Sequence, residues 1–171
     1  KILTDLAAGS GQTQAATATF GAATADEEGD ILKSMDLIFA NARVSGDEPL
    51  ALILPADKRS AMLNTQLFGN VVESLQAHLG RVANLTIYYS RDYGTSSALG
   101  NDALLLIPGA ETAEFFTYNG PGFSETELTR LPGVGYDWLL TSYFGSVIHE
   151  MQDGAASGKN NRIVKLTDVR A

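Results

Sequence analysis

The stretch from Tyr136 to Met151, YDWLLTSYFGSVIHEM, alternates over most of its length. Trp138, Leu140, Ser142, Phe144, Ser146 and Ile148 fall on one side, and Leu139, Thr141, Tyr143, Gly145, Val147 and His149 on the other. A period of two is that of a β-strand. Ordinary strands are about five or six residues long, so an unbroken strand here is expected to link two parts of the molecule. The loop that follows, Gln152 to Asn161, holds Asp153-Gly154 and Gly158 and almost nothing a core could use. That composition predicts a turn into a paired second strand, Arg162 to Leu166. A long strand, a polar turn and a short closing strand describe a framework more than a reaction site.

At 171 residues the chain can form one domain, or two small lobes, without covalent staples. It contains no cysteine, which excludes disulfides, thiol nucleophiles and thiolate metal sites. No apolar run approaches the roughly 18 residues of a membrane span and no secretory signal stands at the start, so a soluble protein without a membrane partner is expected. Twelve Lys and Arg against 20 Asp and Glu leave a net charge of −8. A dedicated DNA or RNA binder displaces phosphate counterions with clustered basic side chains, and here those are scattered. Lys58-Arg59 and the Lys159 to Lys165 region are the local concentrations, both read as solvated surface.

Residues 1 to 24 are rich in Ala, Gly, Thr and Gln and read as an extended arm. Thr24-Ala25-Asp26-Glu27 fits a capping box, with Asp26, Glu27 and Glu28 where a helix dipole is positive. Ile31, Met35, Ile38 and Ala42 then fall on one stripe, predicting a long spine helix from about Ala25 to Val44, closed near Gly46. Leu50 to Leu54 is a continuous apolar strand of the kind buried on both faces, ended by Pro55. A helix is expected from Pro55 to Leu63. Another is expected from Asn70, capped by Glu73, with Val71, Val72, Leu75 and Leu79 inward and Gly80 as its stop. Leu85 to Tyr89, Ala103 to Ile107 and Phe115 to Tyr118 read as strands. Helices and strands in this mixture give an α+β class.

Enzyme signatures fail one by one. Asp153 to Asn160 is similar to a phosphate loop, but its first glycine is one place late and Asn160 stands where Ser or Thr should hold magnesium. No G-x-S-x-G elbow is present. His78 and His149 are distant in sequence, and His149-Glu150 on a strand would point to opposite faces, so both histidines read as structural or surface residues. Asp92, Asp102, Glu111, Glu114 and Asp137 could include a glycosidase-type pair, but spacing gives no separation. Asn84-Leu85-Thr86 matches a glycosylation sequon, and Tyr88-Tyr89, Phe115-Phe116 and Tyr136 to Phe144 are aromatic clusters read as packing. No catalytic, cofactor-binding or metal-binding residue is assigned, and no cofactor is expected.

The order of elements resembles that of the tailed-phage major capsid proteins of the Hong Kong 97 fold. The stretches that carry the likeness are Ala23 to Ala42 (ATADEEGDILKSMDLIFANA), Leu50 to Met62 (LALILPADKRSAM), Asn84 to Tyr89, Asp102 to Pro108 and Tyr143 to Val169. The chain departs from the family in the polar insert QDGAASGKNN, and in showing neither the N-terminal arm nor the extended E-loop before residue 20. The resemblance implies a trimmed or partial capsid subunit, or one whose arm has another form.

What it implies further is a Hong Kong 97-like fold with a long spine helix, a long β-strand and a central mixed α/β lobe. Residues 1–49 would hold the lead-in and spine helix of a peripheral domain, 50–135 an axial domain, and 136–171 the long and closing strands of the peripheral domain. The function implied is a non-enzymatic shell protein that self-assembles into the icosahedral head of a bacteriophage, located in the virion after assembly in the host cytoplasm. Its partners would be its own copies in capsomer hexamers and pentamers, other capsid or decoration proteins, and packaged DNA by non-specific contact only. Two other classes stay open on the residues: a small secreted or periplasmic ligand-binding module using the aromatic strand region, and an enzyme built on the dispersed carboxylates.

Overall fold

The computed structural model describes residues 2–42, 44–94, 97, 99–109, 111–117, 124–131, 135–141, 144–149 and 159–171. The described elements run α1 (Ile2–Gly9), β1 (Ser10–Ala15), α2 (Glu27–Asn41), β2 (Leu50–Pro55), a 3-10 turn (Ala56–Lys58), α3 (Arg59–Leu63), β3 (Thr65–Phe68), β4 (Val71–Ser74), α4 (Leu75–Ala83) and β5 (Leu85–Ser90). They continue as β6 (Ala103–Leu106), β7 (Ala113–Thr117), β8 (Ser124–Leu131), β9 (Gly135–Thr141), β10 (Phe144–Ile148) and β11 (Asn160–Thr167). The class is α+β, organised on a mixed five-stranded sheet of order β1-β11-β6-β2-β5. β1 is parallel to β11 and β2 to β5, while β6 runs antiparallel to both its neighbours.

The continuous apolar runs predict where the sheet is thickest. β2 lies between β5 and β6, with Leu52 opposite Leu105 and both without solvent exposure. Alternation sorts the two faces. Leu50, Leu52, Leu54, Leu105, Val164 and Leu166 join Ile31, Met35 and Ile38 of α2 and Leu75 and Leu79 of α4 in one core. Ala51, Leu104, Leu106 and Ile163 face the other way and pack with Leu6 of α1 and with Ile148 of β10. Helices α2 and α4 therefore cover one face, and α1 with the β7–β10 ribbon covers the other. The strands of this sheet come from residues on all three sides of positions 49 and 135.

Several expectations are corrected by this arrangement. Residues 1 to 24 do not form an extended arm: they supply α1 and the edge strand β1. Small residues are what this position requires, since a Cβ on Gly11 would lie 2.7 Å from the Asn160 backbone, where β1 meets β11 across a register shift. The spine helix is shorter than expected and begins at Glu27. Asp26, not Thr24, is its N-cap, accepting from the Gly29 amide at 3.1 Å, while Glu27 reaches back to the Gly21 amide at 2.8 Å. The helix closes at Ala42, before Gly46.

The stretch read as one long strand is divided between two ladders. β9 pairs with β8, and β10 pairs with β7. Alternation is a local property and survives a change of partner, so the period alone did not reveal the division. Nor does β11 pair with either of them. Both its faces carry buried side chains, so it needs cover on both sides and takes a place inside the main sheet, between β1 and β6. Met151 and the loop 152–158 lie outside the described residues, as do Tyr118, Ser142, Tyr143 and Glu150. Strand β8, Ser124–Leu131, adds to the strands that the pattern predicts.

The helix expected to start at Asn70 is also corrected. Val71 to Ser74 is strand β4, hairpinned with β3, and α4 starts only at Leu75. Ser74 is its cap, accepting from the Ala77 amide at 3.2 Å, and the helix runs through Gly80 to Ala83. Asn84 closes it in the left-handed region, at φ 48°. Asparagine tolerates that conformation better than most side chains, which accounts for the Asn of the sequon-like triplet.

Candidate functional site

The β3–β4 hairpin turns at Gly69-Asn70, with Gly69 at φ 61°. Gly-Asn between β-branched and aromatic residues is a hairpin signal in the sequence, outweighed there by the helical spacing of Val72, Leu75 and Leu79. Cross-strand pairs Gln66–Glu73 and Phe68–Val71 share one face, and Thr65–Ser74 and Leu67–Val72 share the other.

The first face is fastened down. The Phe68 ring stacks on His78 of α4 with centroids 3.9 Å apart and an interplanar angle of 10°. The His78 ring nitrogens meet two carboxylates, Nδ1 at 3.0 Å from Glu73 Oε1 and Nε2 at 3.2 Å from Glu28 Oε1. Arg81 donates to the same Glu73 oxygen at 2.5 Å. Hydrogen bonds from Arg81 and then His78, with their positive charge, hold the Glu73 carboxyl below the usual carboxylate range. His78 thus joins the hairpin, α4 and the first turn of α2.

The opposite face is open. Leu67 is 68% exposed and its cross-strand partner Val72 is 71% exposed, with Leu63 at the root of the hairpin also exposed. Contiguous exposed apolar side chains are characteristic of interaction surfaces.

A concave feature lies further along α2 and α4. Leu32, Met35 and Phe39 of α2 and Arg81, Val82 and Ala83 of α4 line a groove of about 520 Å³, together with Gly46 and Asp47. Val82 is 53% exposed and Leu32 37%. A smaller pocket of about 350 Å³ separates Ala77 and Gly80 of α4 from Leu85 and Ile87 of β5. β5 is an edge of the main sheet.

Several of the residues weighed as chemistry are held by the fold. Lys159 donates to the Ala8 carbonyl at the end of α1. Asn160 is fully buried and donates to the carbonyls of His149 at 2.7 Å and Glu111 at 3.1 Å, while its oxygen accepts from the Arg162 amide at 2.8 Å. It pins three segments together. Glu111 pairs with Arg162, Asp102 with Lys165 at 3.4 Å, and Glu114 lies 3.7 Å from His149. Asp92 is exposed, and the side chain of Asp137 lies outside the described residues. Among the described residues no group of three His, Asp or Glu is placed to hold a metal ion, and no helix is long and apolar enough to cross a membrane.

The two basic concentrations are not simply solvated surface. Lys58 donates to the Phe20 carbonyl at 3.2 Å, and the Arg59 guanidinium stands over the Tyr89 ring at 5.9 Å. Tyr89 in turn donates to Gln76 Oε1 at 2.7 Å, and burial pushes its hydroxyl pKa up. The side chains of the other aromatic clusters, at Phe115-Phe116 and Tyr136 to Phe144, lie outside the described residues.

No protein-family model matches the sequence, and no curated protein matches it. The fold does match a solved structure of a shell: the crystal structure of a virus-like particle from Pyrococcus furiosus, at a TM-score of 0.52 and 15% sequence identity. The match covers 82% of this chain and 52% of that one, so this chain spans about half the length of its structural neighbour. At that identity the likeness is one of fold.

Proposed function

We propose that this chain is a shell-forming capsid protein, and specifically a tailed-phage major capsid subunit of the Hong Kong 97 type. The observation that carries the coarser reading is the fold shared with a protein whose structure is a virus-like particle. The finer reading rests on the order of elements in the sequence. Its function is geometric. A rigid sheet covered on both faces is a plate, and many weak contacts between plates close a shell. The proposed partners are further copies in hexameric and pentameric capsomers, with decoration proteins and packaged DNA touching the shell without base-specific contacts. The proposed location is the virion. A catalytic role is not proposed, because the carboxylates and histidines whose contacts are described serve packing and ion pairs.

Subunits of charge −8 repel one another at low salt, and the Debye length falls to about 10 Å at 0.1 M. Association is therefore expected to strengthen as salt rises. Light scattering and negative-stain microscopy across protein and salt concentrations test this. Rings or shells support the reading. A strict monomer at high concentration and high salt, gaining thermal stability from a small ligand, overturns it in favour of a binding module.

A further inference from the structure

We propose that the Leu67–Val72 face of the β3–β4 hairpin is covered by a second copy of this chain, seated in that copy's α2–α4 groove beside Leu32 and Val82. The inference rests on the shell-forming reading and names the surfaces that would carry one of its contacts.

Two observations pair the surfaces. Among the described residues, the exposed large apolar side chains include Leu67 and Val72 on the outer face of the hairpin, Leu63 at its root, and Leu32 and Val82 on the groove. One set stands on a narrow two-stranded ribbon and the other lines a depression, so the shapes are convex and concave. A two-stranded hairpin alone is marginally stable in water. Here its inner face is held by the Phe68–His78 stack and the Glu73–His78 contact, which leaves the outer apolar face held in a fixed position.

Charge points to the same occupant. An acidic chain that meets its own copies must do so where its charge is absent, or repulsion opposes the contact. From Ala61 to Val72 the sequence carries no charged residue. The hairpin is thus an element through which one copy can approach another without adding to the repulsion. The groove offers Leu32, Met35, Phe39 and Val82 as apolar wall residues, with Asp47 and Arg81 also on its lining and Arg81 paired with Glu73. Hairpin and groove are different patches of one molecule, so the contact is heterologous: it passes from copy to copy and builds rings or larger assemblies.

The absence of cysteine makes a direct test available. Single variants Val72→Cys and Val82→Cys of the full chain are mixed under assembling conditions and oxidised. The expected result is a disulfide-linked dimer in the mixture that neither variant gives alone. In parallel, Leu67→Asp with Val72→Asp is expected to raise the concentration needed for association by about tenfold or more, with an unchanged circular-dichroism spectrum. A parent that assembles while the mixture yields no linked dimer, or a Val72→Cys variant that links to itself, overturns the proposed pairing and leaves the shell reading standing. A parent that never associates overturns the shell reading, and this inference with it.

Discussion

The buried carboxylate of Asp30 holds Thr17 by two bonds, accepting from its backbone amide at 2.6 Å and from its hydroxyl at 2.7 Å. Asp30 is on α2 and is fully buried, with Lys33 at 3.5 Å supplying a counter-charge. Thr17 lies just after β1, so this pair fastens the N-terminal segment to the helix that covers the main sheet. A hydrogen bond to a charged group contributes about 1.5–3 kcal/mol, because the carboxylate has already lost water that a missing donor cannot return. Thr17→Val is expected to lower stability by that amount, measured by urea denaturation. Thr17→Ser, which keeps the donor, should recover most of it.

A second prediction separates the two candidate caps of α2. Asp26 accepts from the Gly29 amide, while Thr24 lies in a turn before the helix. Asp26→Ala should cost about 1 kcal/mol, the usual value for a lost cap. Thr24→Ala should stay within about 0.5 kcal/mol of the parent, as exposed substitutions away from such features do. Thermal unfolding of both variants decides between them, and equal losses would argue against Asp26 as the cap.

The third prediction concerns acid. Bonds from Arg81 and His78 depress the Glu73 carboxyl pKa in the folded protein, so the folded state releases this proton more readily than the unfolded chain does. The sign follows from linkage. Glu73 contributes stability above the unfolded glutamate value of about 4.3, and that contribution is lost as pH falls through its lower folded pKa. Glu73→Gln should be less stable than the parent at neutral pH, with the gap narrowing below about pH 4. Denaturation midpoints followed from pH 7 to strongly acid conditions test it, and a gap independent of pH would place the loss in packing instead.

Elements whose pattern is local and strongly apolar were legible from residue order alone. Leu50 to Leu54 has the pattern of a strand buried on both faces, and β2 is an inner strand of the sheet, between β5 and β6. The Ile31, Met35, Ile38 stripe could only lie against a core, and it does.

Tertiary structure decided what depends on partners distant along the chain. Alternation from Tyr136 to Ile148 specified extended backbone but not which strand would satisfy its hydrogen bonds, and the two halves found β8 and β7 separately. Residues 1 to 24 offered few large side chains to read, yet β1 earns a sheet position because β11 presents a free backbone edge and Gly11 allows close approach. Val71 and Val72 had helical spacing relative to Leu75 and Leu79. The Gly69-Asn70 turn, and the pairing of Leu67 with Val72 that follows from it, overrode that spacing and left the apolar face in solvent. Burial is a property of the assembled surfaces, so which apolar side chains stay uncovered was fixed only when the chain had folded around them.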